Sequence, residues 1–320
     1  MNTRDLWKII SFYARFMPNY TKVGYYARRP FWGRPQAMDF KGQRWLVTGA
    51  SAGLGKAMMH AAANAGADVV AVARNQQRLD AAVAEVGDAA KRVTTMVADM
   101  SLQSSTQALL DELIASGERF DVLMNNVGLL LSSLNITAEG REESFVTNVL
   151  SHFLLTEGLF ANDGFGKDAV IVNMTSGGMY NAPLGIKGLN TTDAARYNGK
   201  ASYAYAKRAQ VALTDYWNRV YRDRGVRCYV THPGWSKTPG VKTAMPTFWK
   251  IQNILLRTPM QGADTALWLA ATRPPVEEDV VWFDRKKRPV HMYDYTRKAQ
   301  CTDDELAAYL RSELEAQSAA

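Results

Sequence analysis

Cysteine is almost missing from this chain of 320 residues: Cys228 and Cys301 are its two, 73 positions apart. Two distant cysteines give neither a disulfide framework nor metal-ligand spacing. Histidine is scarce as well. His60, His152, His232 and His291 have no cysteine or carboxylate at ligand spacing, so no metal site is expected. No apolar run reaches the ~20 residues needed to span a bilayer, and the N-terminal segment is too broken by Lys8 and Arg15 for a signal peptide. The expected setting is reduced and intracellular, either cytoplasmic or at a membrane periphery. Acid is nearly absent from residues 1–38, where Arg4, Lys8, Arg15, Lys22, Arg28, Arg29 and Arg34 face only Asp5, a net +6 of the chain's +7. The basic character therefore belongs to an extension rather than to the body. A nucleic-acid binder would need a basic face on the folded part too, so no nucleic-acid partner is expected.

That extension is rich in aromatic residues, with Trp7, Phe12, Tyr13, Phe16, Tyr20, Tyr25, Tyr26, Phe31 and Trp32. The spacing of Leu6, Ile9, Ile10, Tyr13 and Phe16 predicts an amphipathic helix from about Asp5 to Phe16, ended before Pro18. Two readings stay open: a helix packed on its own domain or on a sister subunit, or a peripheral membrane contact through basic and aromatic groups.

The stretch from Gln43 to Ala65 organises the remainder. Trp45, Leu46 and Val47 form a buried strand, Gly49, Ser51, Gly53, Leu54 and Gly55 fall in a glycine-rich turn, and an alanine-rich helix follows. Glycines let backbone and ligand approach closely, and the helix directs its free N–H groups and positive dipole end back at the turn, which makes a pyrophosphate site. Beyond it, apolar strands alternate with helices. Strands are predicted over 67–74, 92–98, 120–124, 169–174 and 226–231. Helices are predicted over 78–86, from a cap at Ser101 to 116, over 141–160 and over 201–223. Such alternation gives an α/β chain with a doubly wound parallel sheet of Rossmann type, a single domain of about residues 39–290, whose ligands bind at the strands' C-terminal edge. Residues 291–320 read as a helical tail opened by a capping box at Thr302 and Glu305.

Tyr203 and Lys207 are the candidate pair for chemistry; taken alone they read equally as an ordinary exposed helix pair. Of fourteen tyrosines, Tyr203 alone has a lysine four residues on, and i,i+4 residues share a helix face. A phenol with pKa ~10 is a poor base near neutrality; a neighbouring ammonium stabilises the phenolate, and about 4 kcal/mol would bring its pKa near 7.

Thr48-Gly49-x-x-x-Gly53-x-Gly55, Asn125-Asn126-Val127-Gly128, Asn148, Ser176, Tyr203-x-x-x-Lys207 and Pro233-Gly234, in this order, resemble the short-chain dehydrogenase/reductase family over about residues 40–285. Val127 stands where that family usually has alanine. Segments in the C-terminal third, among them His232-Pro-Gly-Trp235, Gln261-Gly-Ala-Asp-Thr265 and Phe283-Asp-Arg-Lys286, extend the likeness over most of the chain. The resemblance implies Tyr203 as the acid/base, Lys207 lowering its pKa and holding the nicotinamide ribose, Ser176 orienting the substrate oxygen, and Asn148 holding the water of a proton relay through Lys207. It further implies the glycine turn at the pyrophosphate, Asp99 and Met100 at the adenine, Asn125 and Gly128 along the adenine ribose, and Pro233, Gly234 and Thr238 at the nicotinamide. Members commonly pair as homodimers through the helices holding Asn148 and Tyr203; the extension either blocks or extends that contact.

NAD-selective sites place an acid at the end of the second strand. Ala73 stands there, followed by Arg74, which suits a 2′-phosphate, so NADP(H) is the expected cofactor. The apolar segment 235–260, with Trp235, Val241, Met245, Phe248, Trp249, Ile251, Ile254 and Leu255, corresponds to the family's lid and suits a small lipophilic carbonyl or alcohol. The competing reading is a catalytically silent dinucleotide-binding scaffold. Retention of Ser176, Tyr203, Lys207 and Asn148 together favours the enzyme.

Overall fold

Alternation along the first strand sorts its side chains to two cores. In β1 (Arg44–Thr48), Trp45 and Val47 point to one face of the sheet and Leu46 to the other, all fully buried. A strand buried on both faces needs apolar residues at every position, and each such side chain contributes about 1.5–3 kcal/mol of transfer free energy. The computed structural model describes residues 16–33 and 37–318.

β2 (Asp68–Ala73), β3 (Val93–Val97), β4 (Phe120–Asn125), β5 (Phe165–Met174) and β6 (Arg227–Thr231) join β1 in a parallel sheet, followed by β7 (Val280–Phe283) and the antiparallel edge strand β8 (Lys286–Pro289). Strand order is β3-β2-β1-β4-β5-β6-β7-β8. The order reverses between β1 and β4, and a crevice opens at such a switch point. β7 and β8, which the sequence reading lacked, are joined by Asp284 and Arg285 at φ 53° and 57°, a two-residue hairpin turn with both central residues left-handed.

The extension supplies α1 (Lys22–Arg28). The Rossmann helices are α2 (Gly53–Asn64), α3 (Gln76–Ala84), α4 (Gln103–Ala115), α5 (Ser151–Ala161) and α6 (Gly199–Val220). After β6 come the short helices α7 (Pro239–Ala244) and α8 (Pro246–Gln252), then α9 (Pro259–Thr272) and α10 (Asp303–Ser318). Residues of α2, α3 and α9 cover one face, while α4, α5, α6 and α10 cover the other. The expected capping box opens α10: the Thr302 N–H donates to Glu305 at 2.8 Å, and the Glu305 N–H to Thr302 at 3.1 Å.

Two local expectations are corrected. Ser101 does not cap α4; its hydroxyl donates to Asp99 at 2.7 Å. The free N–H groups of Gln103 and Ser104 donate instead to the Glu139 carboxylate, at 2.6 and 2.9 Å, where an anion also complements the helix dipole. The helix expected over 5–16 lies outside the described residues up to position 15, and residues 16–20 are helical through Pro18. The segment turns at Thr21, whose side chain accepts from the Val23 N–H and caps α1.

The described part of the extension packs on the domain. Phe16, Tyr20 and Tyr25 are buried, and two arginines pin the segment. Arg257 donates to the carbonyls of Asn19, Tyr20 and Thr21, and Arg257 and Arg28 both pair with Asp284 at 2.6 Å. Among the described residues no helix is long and apolar enough to cross a membrane, and no cluster of His, Cys, Asp and Glu could hold a metal ion.

Candidate active site

The C-terminal ends of β1, β4, β5 and β6 open into a crevice of about 960 Å³. At its floor the turn after β1 carries Gly49 and Gly53 at φ 68° and 56°, backbone that side chains other than glycine rarely adopt. A Cβ on Gly55 would lie 2.2 Å from the Gly49 carbonyl oxygen, so helix and strand close up only around a glycine. Ala52, at the N-cap of α2, offers no side-chain acceptor. The first N–H groups of α2 therefore remain available to an anion, and this cradle fits the pyrophosphate of a dinucleotide. Leu54 lines the same floor, and Ser51 is half-buried within the turn.

Ser176 follows the end of β5, and its hydroxyl accepts from the Gly178 N–H at 3.3 Å. Tyr203 and Lys207 come from α6, whose N-terminus Asn198 caps. Tyr203 and Ser176 meet across Gly178, where a Cβ would lie 3.2 Å from the Tyr203 ring and 3.8 Å from Ser176 Oγ. Burial pushes the Tyr203 phenol above its ordinary pKa, and the neighbouring Ser176 side chain opposes that rise. The phenol is thus held protonated, opposite in direction to the lowering expected from Lys207. The Lys207 ammonium lies 5.5 Å from the Tyr203 ring centroid. Burial brings its pKa down to about 7. It donates to the Met174 carbonyl at 3.0 Å and to Gln210 Oε1 at 3.2 Å.

Asn148 sits in a π-helical turn, Val146–Leu150, that leads into α5. Its amide is spent on the loop after β4 and on its own helix, donating to the Leu129 and Ser144 carbonyls at 2.8 Å and accepting from the Leu129 N–H at 3.2 Å. Gly128 draws these groups together: a Cβ there would lie 2.7 Å from Asn148 Oδ1 and 3.2 Å from Lys207 Nζ. The link from Asn148 to Lys207 is made by Gln210, which the sequence reading missed. Gln210 Nε2 donates to the Asn148 carbonyl at 2.8 Å while its Oε1 accepts from Lys207. Its place three residues after Lys207, on the same helix face, was the available signal. His152, also bonded to Gln210 at 3.1 Å, is held neutral: burial and the Lys207 charge bring its pKa down to about 3.

The cofactor-side expectations divide. Pro233, Gly234 and Thr238 line the crevice, and Thr238 also caps α7. Arg74 is exposed just past β2. Asp99 is half-buried at the end of β3 and accepts from Ser101. Met100 is a core residue, 3% exposed and packed with the α4 leucines, so its side chain makes no adenine wall. Asn125 does not line the crevice either. It is wholly buried, and its Nδ2 donates to Asn173 and Thr156 at 3.0 Å, which ties β4 to β5. The lining falls to Asn126, which is clipped to the Thr48 carbonyl at 2.8 Å. In segment 235–260, Trp235, Val241, Met245 and Phe248 face the crevice, whereas Ile251 and Ile254 are 69% and 72% exposed.

His232 also lines the crevice but is a packing residue. It stacks on Phe283 with centroids 4.6 Å apart, accepts from the Gly234 N–H at 3.0 Å, and is kept neutral by burial.

Dehydrogenase/reductase SDR family member 12 of Bos taurus is 32% identical over 296 residues, covering 90% of this chain and 91% of that protein. Retinol dehydrogenase 13 of Homo sapiens is 27% identical over 79% of this chain and 80% of its own. A crystal structure of an uncharacterized protein from Mycobacterium paratuberculosis superposes with a TM-score of 0.66 at 22% identity, covering 88% of this chain and 95% of that one. Residues 43–247 match the short chain dehydrogenase family model, and the chain belongs to that family of oxidoreductases.

Proposed function

We propose that this protein is an NADP(H)-dependent oxidoreductase interconverting a lipophilic alcohol and its carbonyl, with Tyr203 as the acid/base. The observation that carries the reading is the convergence of Ser176, Tyr203 and Lys207 beside a crevice whose glycine turn fits a dinucleotide. The nicotinamide supplies the hydride chemistry when bound. Ser176 donates to the substrate oxygen and steadies its growing negative charge. Tyr203, kept protonated by burial, gives that oxygen its proton in the reductive direction and takes it back in the oxidative one. Lys207 opposes the phenolate's cost by charge, and Gln210 holds the ammonium in place.

Arg74 supports NADP(H). It is exposed and makes no ion pair among the described residues, and no carboxylate follows β2 to repel a 2′-phosphate. The apolar lid and the retinol named in relatives such as retinol dehydrogenase 13 support a lipophilic substrate. The test is oxidation of NADPH and NADH over a panel of aliphatic, aromatic and isoprenoid aldehydes. Turnover faster with NADPH, and a preference that moves toward NADH in Arg74→Asp, is the expected result. No turnover of any carbonyl with either dinucleotide would favour the scaffold reading.

A further inference from the structure

Phe16 and Tyr20 line the crevice although they lie well outside the 43–247 span that matches the family. Tyr20 stands against the catalytic edge. A Cβ on Gly177, the residue after Ser176, would lie 3.2 Å from its ring. The Tyr20 ring packs edge-on to His232, Trp235 and Phe283, with centroids 4.5, 5.9 and 5.3 Å away, and lies 5.0 Å from Phe16. Trp235 in turn meets Phe248 of the lid at 5.1 Å. The segment is bonded to both ends of the lid. The Trp235 N–H donates to the Tyr20 carbonyl at 2.8 Å, the Lys22 N–H to the Leu255 carbonyl at 2.9 Å, and Arg257 holds the carbonyls between.

Resting on the reading of the crevice as a substrate site, we propose that residues 16–20 build one wall of that site, and that Phe16 and Tyr20 select substrates with a long apolar body. The physical argument is directional. Ser176 and Tyr203 take the polar end of a substrate, and Tyr20 stands beside the next residue along, so the carbon skeleton leaves the reacting oxygen past an aromatic surface. Rings buried in a wall reward extended hydrocarbon and give nothing to a short carbonyl. The extension is thus part of the active site and sets substrate length, while the acid/base chemistry stays with α6.

The experiment compares Phe16→Ala, Phe16→Trp and the control Phe31→Ala, whose ring is 74% exposed on the same segment. It uses a series of straight-chain aldehydes of rising length, binding of a dansyl-labelled fatty acid in the presence of NADPH, and NADPH affinity by fluorescence. Phe16→Ala is expected to raise KM for the longest aldehydes roughly tenfold, the scale of lost apolar pocket contact, and to raise it progressively less as the aldehyde shortens. Labelled fatty acid should bind correspondingly more weakly. Phe16→Trp, which adds bulk rather than removing it, should shift the preferred length downward and carries the test if the alanine variant does not fold. The proposal is overturned if both Phe16 variants keep the wild-type length profile and probe affinity, if Phe31→Ala moves them equally, or if the probe does not bind the wild type. Should the wild type reduce none of the aldehydes while Phe16→Ala still weakens the probe, the oxidoreductase reading fails and the wall stands.

Discussion

Asp284→Asn should loosen the extension at its anchor. The Asp284 carboxylate is 1% exposed and accepts from Arg28 Nε at 2.6 Å and from Arg257 Nη1 and Nη2 at 2.6 and 3.0 Å. Arg257 is itself 2% exposed and supports three carbonyls of residues 19–21. Neutralising the acid leaves a buried guanidinium without its anion, a loss on the order of 3–5 kcal/mol. For a chain of this size that corresponds to a melting point lower by about 5 °C. Arg28→Met is the control. It leaves the Arg257–Asp284 pair intact, its own side chain is 20% exposed, and it should cost about 1 kcal/mol. Urea unfolding gives the energies, and trypsin cutting after Lys22 and Arg28 reports whether the segment has lifted. An Asp284→Asn protein within about 1 kcal/mol of wild type, with those bonds still resistant, would refute the reasoning.

Gly55→Ala should abolish NADPH binding without unfolding the sheet, because the new methyl meets backbone at 2.2 Å in the turn itself; fluorescence titration beside a thermal melt separates the two. Lys207 gives a pH dependence. Its folded pKa, about 7, lies below the unfolded value of ~10.4, so the unfolded chain binds more protons between those limits. Stability of the cofactor-free protein should then rise with pH from about 7 to about 10, by up to ~1.4 kcal/mol per pH unit from this group. Lys207→Met should remove that slope, as urea titrations at several pH values would show.

The parallel sheet was legible because β1 to β6 are apolar runs closed by turn residues at their C-terminal ends, and Tyr203 and Lys207 were legible because i,i+4 spacing is local. What stayed hidden depends on distant partners. Val280–Phe283 is a four-residue run whose hairpin turn uses Asp284 and Arg285 rather than the Asn-Gly pair that usually signals such a turn. Glu139 caps α4 from more than thirty residues away. Asn125 and Asn126 are chemically identical in sequence, and only the register of β4 against β5, with Asn125 opposite Asn173, decides which one faces the crevice. The direction of the Tyr203 shift was missed for a related reason: a lysine one turn away is readable from spacing, whereas the burial that raises the phenol is not.

The measurement closest to the centre of this account is the turnover of Tyr203→Phe beside its NADPH affinity, on whichever aldehyde the wild type reduces fastest. Loss of the proton donor with the ring retained should lower kcat by at least a hundredfold and leave NADPH binding within about twofold of wild type. A Tyr203→Phe enzyme that keeps its wild-type rate would contradict the assignment of this phenol as the group that moves the proton.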